Sequence, residues 1–281
     1  MKWKIVTDSG ANSRLNPQIT QEVGFEVVPL LVNIGTELFI DNDIEKVSEL
    51  IEKMENSKLG SSSACPAPDT YAKAFADADN VICFTLSSGL SGSYNSALLA
   101  KETVLEQDPT KNIFIFDSLS AGAEVDLLIN KAVELVTSDV EFDNVVELLK
   151  AYHNKIGLVF MLESVDNLVK NGRLNKLVGS MIGLLGIRLI GERNAVGQID
   201  VIHKSKGLKR ALKTLVEELT RNGFDNGKVI VSHCLNETVA QEFKTLVLAQ
   251  YPQATVEINQ TSGLCSYYAQ RGGLMIGYQK A

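Results

Sequence analysis

Histidine is scarce in this sequence, with only His153, His203 and His233 among 281 residues. A mechanism that needs an imidazole base or a cluster of imidazole ligands therefore has few candidates. Cysteine is equally thin: Cys65, Cys83, Cys234 and Cys265 form no C-x-x-C pair. The usual thiolate-zinc and dithiol spacings are missing, and His233-Cys234 is an isolated pair without further ligands at metal spacing. No metal site and no cofactor is expected. The glycine motifs of nucleotide folds are absent too: no G-x-G-x-x-G follows the first strand and no G-x-x-x-x-G-K-[ST] occurs. Apolar stretches are broken by Gly and charge well before the ~18 residues of a membrane span. Met1 to Asp8 runs straight into a strand pattern, with no cleavable segment visible. Four reduced thiols in a cytoplasmic protein are the expectation. The formal net charge of −7 makes non-specific nucleic-acid binding an unsuitable role.

What is present is an ordinary globular composition, 45% hydrophobic and 22% charged. The length suits two domains. Strand and helix patterns alternate. Trp3–Thr7, Val27–Ile34, Val81–Leu86 and Asn112–Phe116 read as strands. Helical patterns cover Ile44–Asn56, Asp69–Asp77, Ser91–Leu105, Ala121–Thr137 and Phe142–Asn154. This rhythm predicts an α/β fold whose N-terminal domain is a parallel sheet with helices on both faces. A second set begins near Ile156. It has strands at Ile156–Met161, Lys228–Ser232, Ala254–Ile258 and Leu274–Tyr278, and a hairpin of Ile187–Gly191 with Gln198–Lys204. Its helices are Ser164–Val169, Leu208–Arg221 and Glu237–Ala249. The expected division is 1–154 and 155–281. No Pro/Gly linker marks it, so the second α/β domain should pack on the first with a ligand cleft between them.

Chemistry concentrates where the apolar strands end. Asp8-Ser9, Ser87-Ser88-Gly89-Leu90-Ser91-Gly92-Ser93 and Asp117-Ser118 each follow a strand. Ligands of open parallel sheets bind outside the carboxyl ends of the strands. Ser91-Gly92-Ser93 also opens a helix, whose free N–H groups and dipole favour an anion. The loop Gly60-Ser61-Ser62-Ser63-Ala64-Cys65-Pro66 adds hydroxyls. The Ser and Gly residues of these loops carry no charge, which suits a single carboxylate or small phosphate. Serine at a helix start is more often only a cap. The coincidence of several clusters on one sheet edge is what favours a site.

A hydrolase is the rival reading. Gly89-Leu90-Ser91-Gly92-Ser93 resembles the G-x-S-x-G nucleophile elbow, with Ser93 in place of the last Gly. His233 is the one plausible base, and nothing in the sequence ties it to Ser91. A second clue is the run Met181-Ile182-Gly183-Leu184-Leu185-Gly186, apolar on every face beside the polar Asn171-Gly172-Arg173. A buried core helix is the common meaning of such a run. An apolar wall near a carboxylate site would describe a fatty-acid tunnel.

Several segments together resemble the DegV family. They are Val6-Thr7-Asp8-Ser9, Ser63-Ala64-Cys65-Pro66-Ala67-Pro68, the run Leu86 to Ala97, Phe116-Asp117-Ser118, the run Leu168 to Leu174, and Leu185-Gly186-Ile187-Arg188. The resemblance spans nearly the whole chain. It implies a two-domain α/β fold holding a long-chain fatty acid between the domains, with carboxylate contacts from Ser63 and Ser91. It also implies a carrier role, presenting that carboxylate to a separate fatty-acid kinase subunit, and no catalysis by the carrier itself. The family's C-terminal H-T-G-P-G segment is missing, and Tyr268 falls in the position of its His. A phenol donates one hydrogen bond and brings no positive charge.

The residues expected to meet or brace the headgroup are thus Ser63, Ser88, Ser91, Gly92, Ser93 and Tyr268, with Asp8 and Ser9 from the neighbouring strand end. Lys170, Arg173 and Lys206, with Lys176, Lys204 and Lys209, form a candidate basic docking patch for the partner.

Overall fold

The computed structural model describes residues 2–13, 23–138, 140–175 and 186–281. The N-terminal half provides strands β1 (Trp3–Asp8), β2 (Gly24–Val28), β3 (Leu31–Ile34), β4 (Glu37–Ile40), β5 (Ser61–Ala64), β6 (Asn80–Thr85) and β7 (Asn112–Asp117). Its helices are α1 (Val47–Asn56), α2 (Pro68–Phe75), α3 (Ser93–Gln107), α4 (Ala123–Val136) and α5 (Phe142–His153). The C-terminal half provides β8 (Ile156–Leu162), α6 (Asp166–Lys170), β9 (Ile187–Arg193), β10 (Ile199–Lys206), α7 (Leu208–Arg221), β11 (Phe224–His233), α8 (Glu237–Gln250), β12 (Thr255–Gln260), α9 (Gly263–Ala269) and β13 (Leu274–Lys280).

β2, β1, β6 and β7 pair in that order, all parallel. Alternate strand residues serve opposite faces. Val6, Cys83 and Ile115 pack with Ala74, Ala97 and Ala100 of α2 and α3. Ile5, Ile82 and Phe84 pack with Leu127, Leu128 and Val145 of α4 and α5. The expected helices on both faces are therefore present. Chain order reverses between β1 and β6, so their loops diverge and open a crevice at the carboxyl edge.

Two expectations need correction. Val27–Ile34 is not one strand. Pro29 has no N–H to donate to a ladder, and the chain breaks there. β2 stays in the parallel sheet, and β3 joins a separate antiparallel sheet of order β4-β3-β5. Ser61–Ala64, read as loop, is the edge strand β5 of that sheet. Four small polar residues carry no hydrophobic alternation, so the strand is decided by its pairing with β3.

The C-terminal sheet has the order β10-β9-β8-β13-β11-β12 and is antiparallel except for β11 with β12. One face, including Val159, Met161, Val231 and Ile276, is covered by α7 and α8. The other face looks toward the N-terminal half. α4 lies between the sheets, and Ile156 and Ile230 share its apolar cluster with Ile5 and Ile82. Among the described residues, no helix is long and apolar enough to cross a membrane.

Candidate ligand-binding site

A cavity of about 340 Å³ is lined from both halves of the chain, within the range usual for small-molecule sites. Leu158, Phe160 and Leu162 of β8 line it, at alternate positions that share one face of the strand. Met275 lies opposite Phe160 in the strand register and also lines the cavity. Leu86, Leu90 and Leu264 continue the apolar wall.

One corner of this cavity is polar. β6 ends at Thr85, and the next residue, Leu86, donates its N–H to Asp8 Oδ2 at 2.9 Å. This bond ties the loop after β6 to the end of β1. The chain then turns through Leu90 and Ser91, whose N–H groups both bond Ser87 O at 3.0 Å. Gly92 is the N-cap of α3 and supplies no side-chain cap. The capping role falls to Ser91, whose Oγ accepts the Ser93 N–H at 3.2 Å and lies 3.0 Å from Ser93 Oγ. A Cβ on Gly92 would lie 3.1 Å from Cys65 Sγ, so the loop before α2 closes tightly over this turn.

Asp8 sits beneath the turn, fully buried. Burial pushes its carboxyl up to about 6, although the N–H groups of Leu86 and Gly10 and the hydroxyls of Ser93 and Tyr71 favour the charged form. Its neighbour Ser9 accepts the Leu30 N–H at 2.9 Å, also out of solvent.

Opposite this turn stand Ser63 and Tyr268, with Ser63 Oγ 2.7 Å from the Tyr268 hydroxyl. Ser61 and Ser63 occupy the half-buried positions of β5, and Ser62 and Ala64 the exposed ones. The adjacent Tyr267 donates to Ser61 Oγ at 2.9 Å. Both tyrosines belong to α9, a helix not read from the sequence. Asp41, fully buried, accepts the first two N–H groups of α9, from Gly263 and Leu264, at 2.7 Å each. The N-cap Ser262 accepts the Cys265 N–H and donates to Ser9 O at 2.7 Å. Thus α9 belongs to the C-terminal half by sequence and is tied to the N-terminal half by Asp41 at its first two N–H groups and by the bond from its own cap Ser262 to Ser9 O.

The corner also contains a cation. Gly172, at φ +73°, ends α6 in a left-handed turn, and Arg173 returns its N–H to Leu168 O at 2.8 Å. The Arg173 Nε then donates to Leu90 O at 3.1 Å, and Nη1 to Asn171 O. Both acceptors are neutral carbonyls. Among the described residues the Arg173 guanidinium has no carboxylate partner.

The expected residues thus divide. Ser63, Ser91, Gly92 and Tyr268 line the cavity. Asp8, Ser9 and Ser93 are fully buried behind it, in bonds that hold the loops. Ser88 is exposed, and its N–H bonds Asp117 at 3.0 Å. Arg173, expected in a surface patch, lies on the cavity wall. Lys170 and Lys206 are exposed. Met181–Leu185 and Lys176 lie outside the described residues.

Sequence reasoning did not single out Leu158, Phe160, Leu162 and Met275, since both faces of β8 are apolar and nothing distinguishes the one left for a ligand. Arg193 and Glu124 were also missed, being far apart in the chain. No imidazole approaches Ser91. His153 contacts Ser118 O at 2.8 Å, His203 contacts Glu218 at 2.6 Å, and His233 Nδ1 accepts the Asn236 N–H at 3.2 Å. A base poised on Ser91 is the first requirement of a serine hydrolase, and these histidines do not provide it.

The chain has extensive relatives. The sequence model described as an uncharacterised protein of the DegV family matches residues 2–280. A DegV domain-containing protein of Streptococcus gordonii is 45% identical over 279 residues, 99% of each chain. Among solved structures, the Streptococcus pneumoniae fatty acid kinase (Fak) B3 protein loaded with linoleic acid superposes with a TM-score of 0.97 at 40% identity, covering 100% of both chains. A DegV family protein of Eubacterium eligens loaded with heptadecanoic acid superposes at 0.94 with 30% identity, over 99% of this chain and 100% of that one. By sequence along its whole length and by fold, the chain belongs to the DegV family.

Proposed function

We propose that the protein binds one long-chain fatty acid and presents its carboxylate to a kinase subunit, without catalysing a reaction itself. The observation that carries this reading is a corner of hydrogen-bond donors opening directly onto an apolar cavity. Ser63, Ser91 and Tyr268 supply hydroxyls, the first turn of α3 supplies N–H groups, and Arg173 supplies the countercharge. The acyl chain lies on Leu158, Phe160, Leu162 and Met275, where each buried methylene contributes up to ~0.8 kcal/mol. Segments 1–154 and 155–281 act as two domains that close on the ligand. The fatty acids held by the S. pneumoniae and E. eligens relatives support the ligand class, and the name of the former supports the kinase partnership. Exposed Lys170 and Lys206 form the basic docking patch.

Mass spectrometry of lipid extracted from natively purified protein tests the reading, followed by titration of the delipidated protein with a labelled long-chain fatty acid. About one equivalent of fatty acid is expected. Failure to bind any long-chain fatty acid after delipidation refutes it. Ester hydrolysis abolished by both Ser91→Ala and His233→Ala would establish a hydrolase in its place.

A further inference from the structure

The cavity wall carries a second guanidinium, supplied by a strand and not by the turn that supplies Arg173, beside the hairpin tip that packs on the loop after β6. Arg193 ends β9, and its side chain is 18% exposed. Its Nε donates to the two oxygens of Glu124 at 3.0 and 2.8 Å, and Nη2 donates to Oε1 at 2.7 Å. Glu124 is fully buried in the first turn of α4 and also accepts from Ser120 Oγ at 2.6 Å. Arg193, Ser120 and Gln198 all line the cavity. They come from three places: the turn after β7, the end of β9 and the residue before β10.

An ion pair removed from water loses hydration, and an apolar pair of similar volume often serves the fold as well. Its position on the wall of a lipid cavity asks for a further use. A guanidinium has five N–H donors, and Glu124 engages only Nε and Nη2. Among the described residues, both N–H groups of Nη1 lack a protein acceptor, and so does the Gln198 side-chain amide. Glu124 cancels the charge of Arg193, so this patch does not compete for a carboxylate. It suits a neutral oxygen. A hydroxyl fits best, because it can accept from the Arg193 fork while donating to the Gln198 carbonyl. A purely hydrocarbon chain would instead leave these donors facing methylene groups, at a desolvation cost.

We infer that the preferred ligands include fatty acids hydroxylated along the acyl chain, with Arg193 and Gln198 as the residues that recognise the hydroxyl. This rests on the fatty-acid reading of the same cavity and specifies the substrate class within it.

The test titrates the delipidated full chain with stearic acid and with a series of monohydroxystearic acids whose hydroxyl is moved along the chain. A narrow range of positions should bind about tenfold tighter than stearic acid, as one charge-assisted hydrogen bond allows after the hydroxyl sheds its water. Gln198→Ala, a change at an exposed residue, should reduce that preference. The double variant Glu124→Gln/Arg193→Gln, which removes both charges at similar volume, should abolish it while stearic acid still binds. Stearic acid binding with no isomer tighter than it overturns this inference and leaves the fatty-acid reading standing. A positional preference unchanged in both variants likewise removes Arg193 and Gln198 from the assignment, and Gln198→Ala alone decides this if the double variant does not fold. If stearic acid itself does not bind, both readings fall together.

Discussion

Replacing Ser91 by Ala probes the polar corner at the residue where the loop after β6 turns into α3. In the polar corner Ser91 Oγ accepts the Ser93 N–H at 3.2 Å and lies 3.0 Å from Ser93 Oγ, while the Ser93 hydroxyl also bonds Asp8. The Ser91 proton therefore has Ser93 Oγ as an acceptor until a carboxylate takes that place. A hydroxyl bonded to a charged group contributes ~1.5–3 kcal/mol, which corresponds to a rise in Kd of roughly ten- to 150-fold. The lower part of that range is expected, because Ser63, Tyr268 and Arg173 remain to hold the headgroup. The fold loses one long capping bond, ~1 kcal/mol, and Tm should fall by roughly 2–4 °C for a chain of this size. Displacement of a fluorescent fatty acid from delipidated protein gives the first quantity, and a thermal melt the second. A Kd within twofold of the parent, with Tm unchanged, refutes the contact. A fall in Tm above about 10 °C, out of proportion to one cap, means instead that Ser91 holds the loop together.

Three further outcomes follow from the geometry. Asp126 is fully buried and its carboxyl is pushed up to about 6 by desolvation, against hydrogen bonds from Ser13 and Asn12. Because the folded value lies above the unfolded one, its stabilising contribution is full below about 3.8 and is lost as pH rises through about 6. Asp126→Asn fixes the neutral state, and because Asn259 Nδ2 now faces Asp126 Oδ2 at 3.5 Å, the Asn259 amide must turn over to bring its unpartnered Oδ1 to the new N–H. In urea unfolding the variant should therefore gain on the parent by up to ~3 kcal/mol between pH 4 and 7, and a constant difference across that range contradicts the reasoning. Gly197, at φ +72°, presses the hairpin tip onto the loop after β6, where a Cβ would fall 2.1 Å from Ser87 Oγ and 2.9 Å from the Leu119 backbone. Gly197→Ala should cost ~1–3 kcal/mol, read as a lower denaturation midpoint, and a midpoint equal to the parent's would show that the hairpin can lift without loss. Lys170→Glu with Lys206→Glu should slow association with a kinase subunit and leave lipid affinity unchanged, as surface plasmon resonance and lipid titration would show; equal association rates dispose of the patch. Arg173 is left out of that variant because it lies on the cavity wall.

The elements most legible in the sequence are those that local pattern controls. α7 was expected at Leu208–Arg221 with Asn222-Gly223 as its stop, and it occupies that span. The continuous apolar run of β6 reads as a strand covered on both faces, and the apolar run of β8 as a strand. Ser91-Gly92-Ser93 was legible as a helix entrance because capping chemistry is local. β5 and α9 were not legible in this way. Ser61–Ala64 has no apolar alternation, and α9 is a short segment stabilised at its N-terminus by Asp41 from far earlier in the chain. The basic residues near Arg173 also could not be sorted. A turn at Gly172 sends Arg173 inward to Leu90 O, while Lys170, three residues earlier, remains exposed.

By itself the sequence determined the alternation of strands and helices, the family, and the chemistry at the strand ends, because each depends on neighbours within a few residues or on motifs in a fixed order. Only the tertiary structure decided which of those residues share a site. Ser63 and Tyr268 stand 205 positions apart and meet at 2.7 Å, and Arg193 and Glu124 meet across 69 positions. Asp8 and Ser9, beside the same crevice, are turned into buried hydrogen bonds behind it. The physical reason is that a cavity is a property of surfaces left uncovered when layers pack. α7 and α8 cover one face of the C-terminal sheet, and the opposite face keeps Leu158, Phe160 and Leu162 for a ligand, a choice that no local pattern along β8 records.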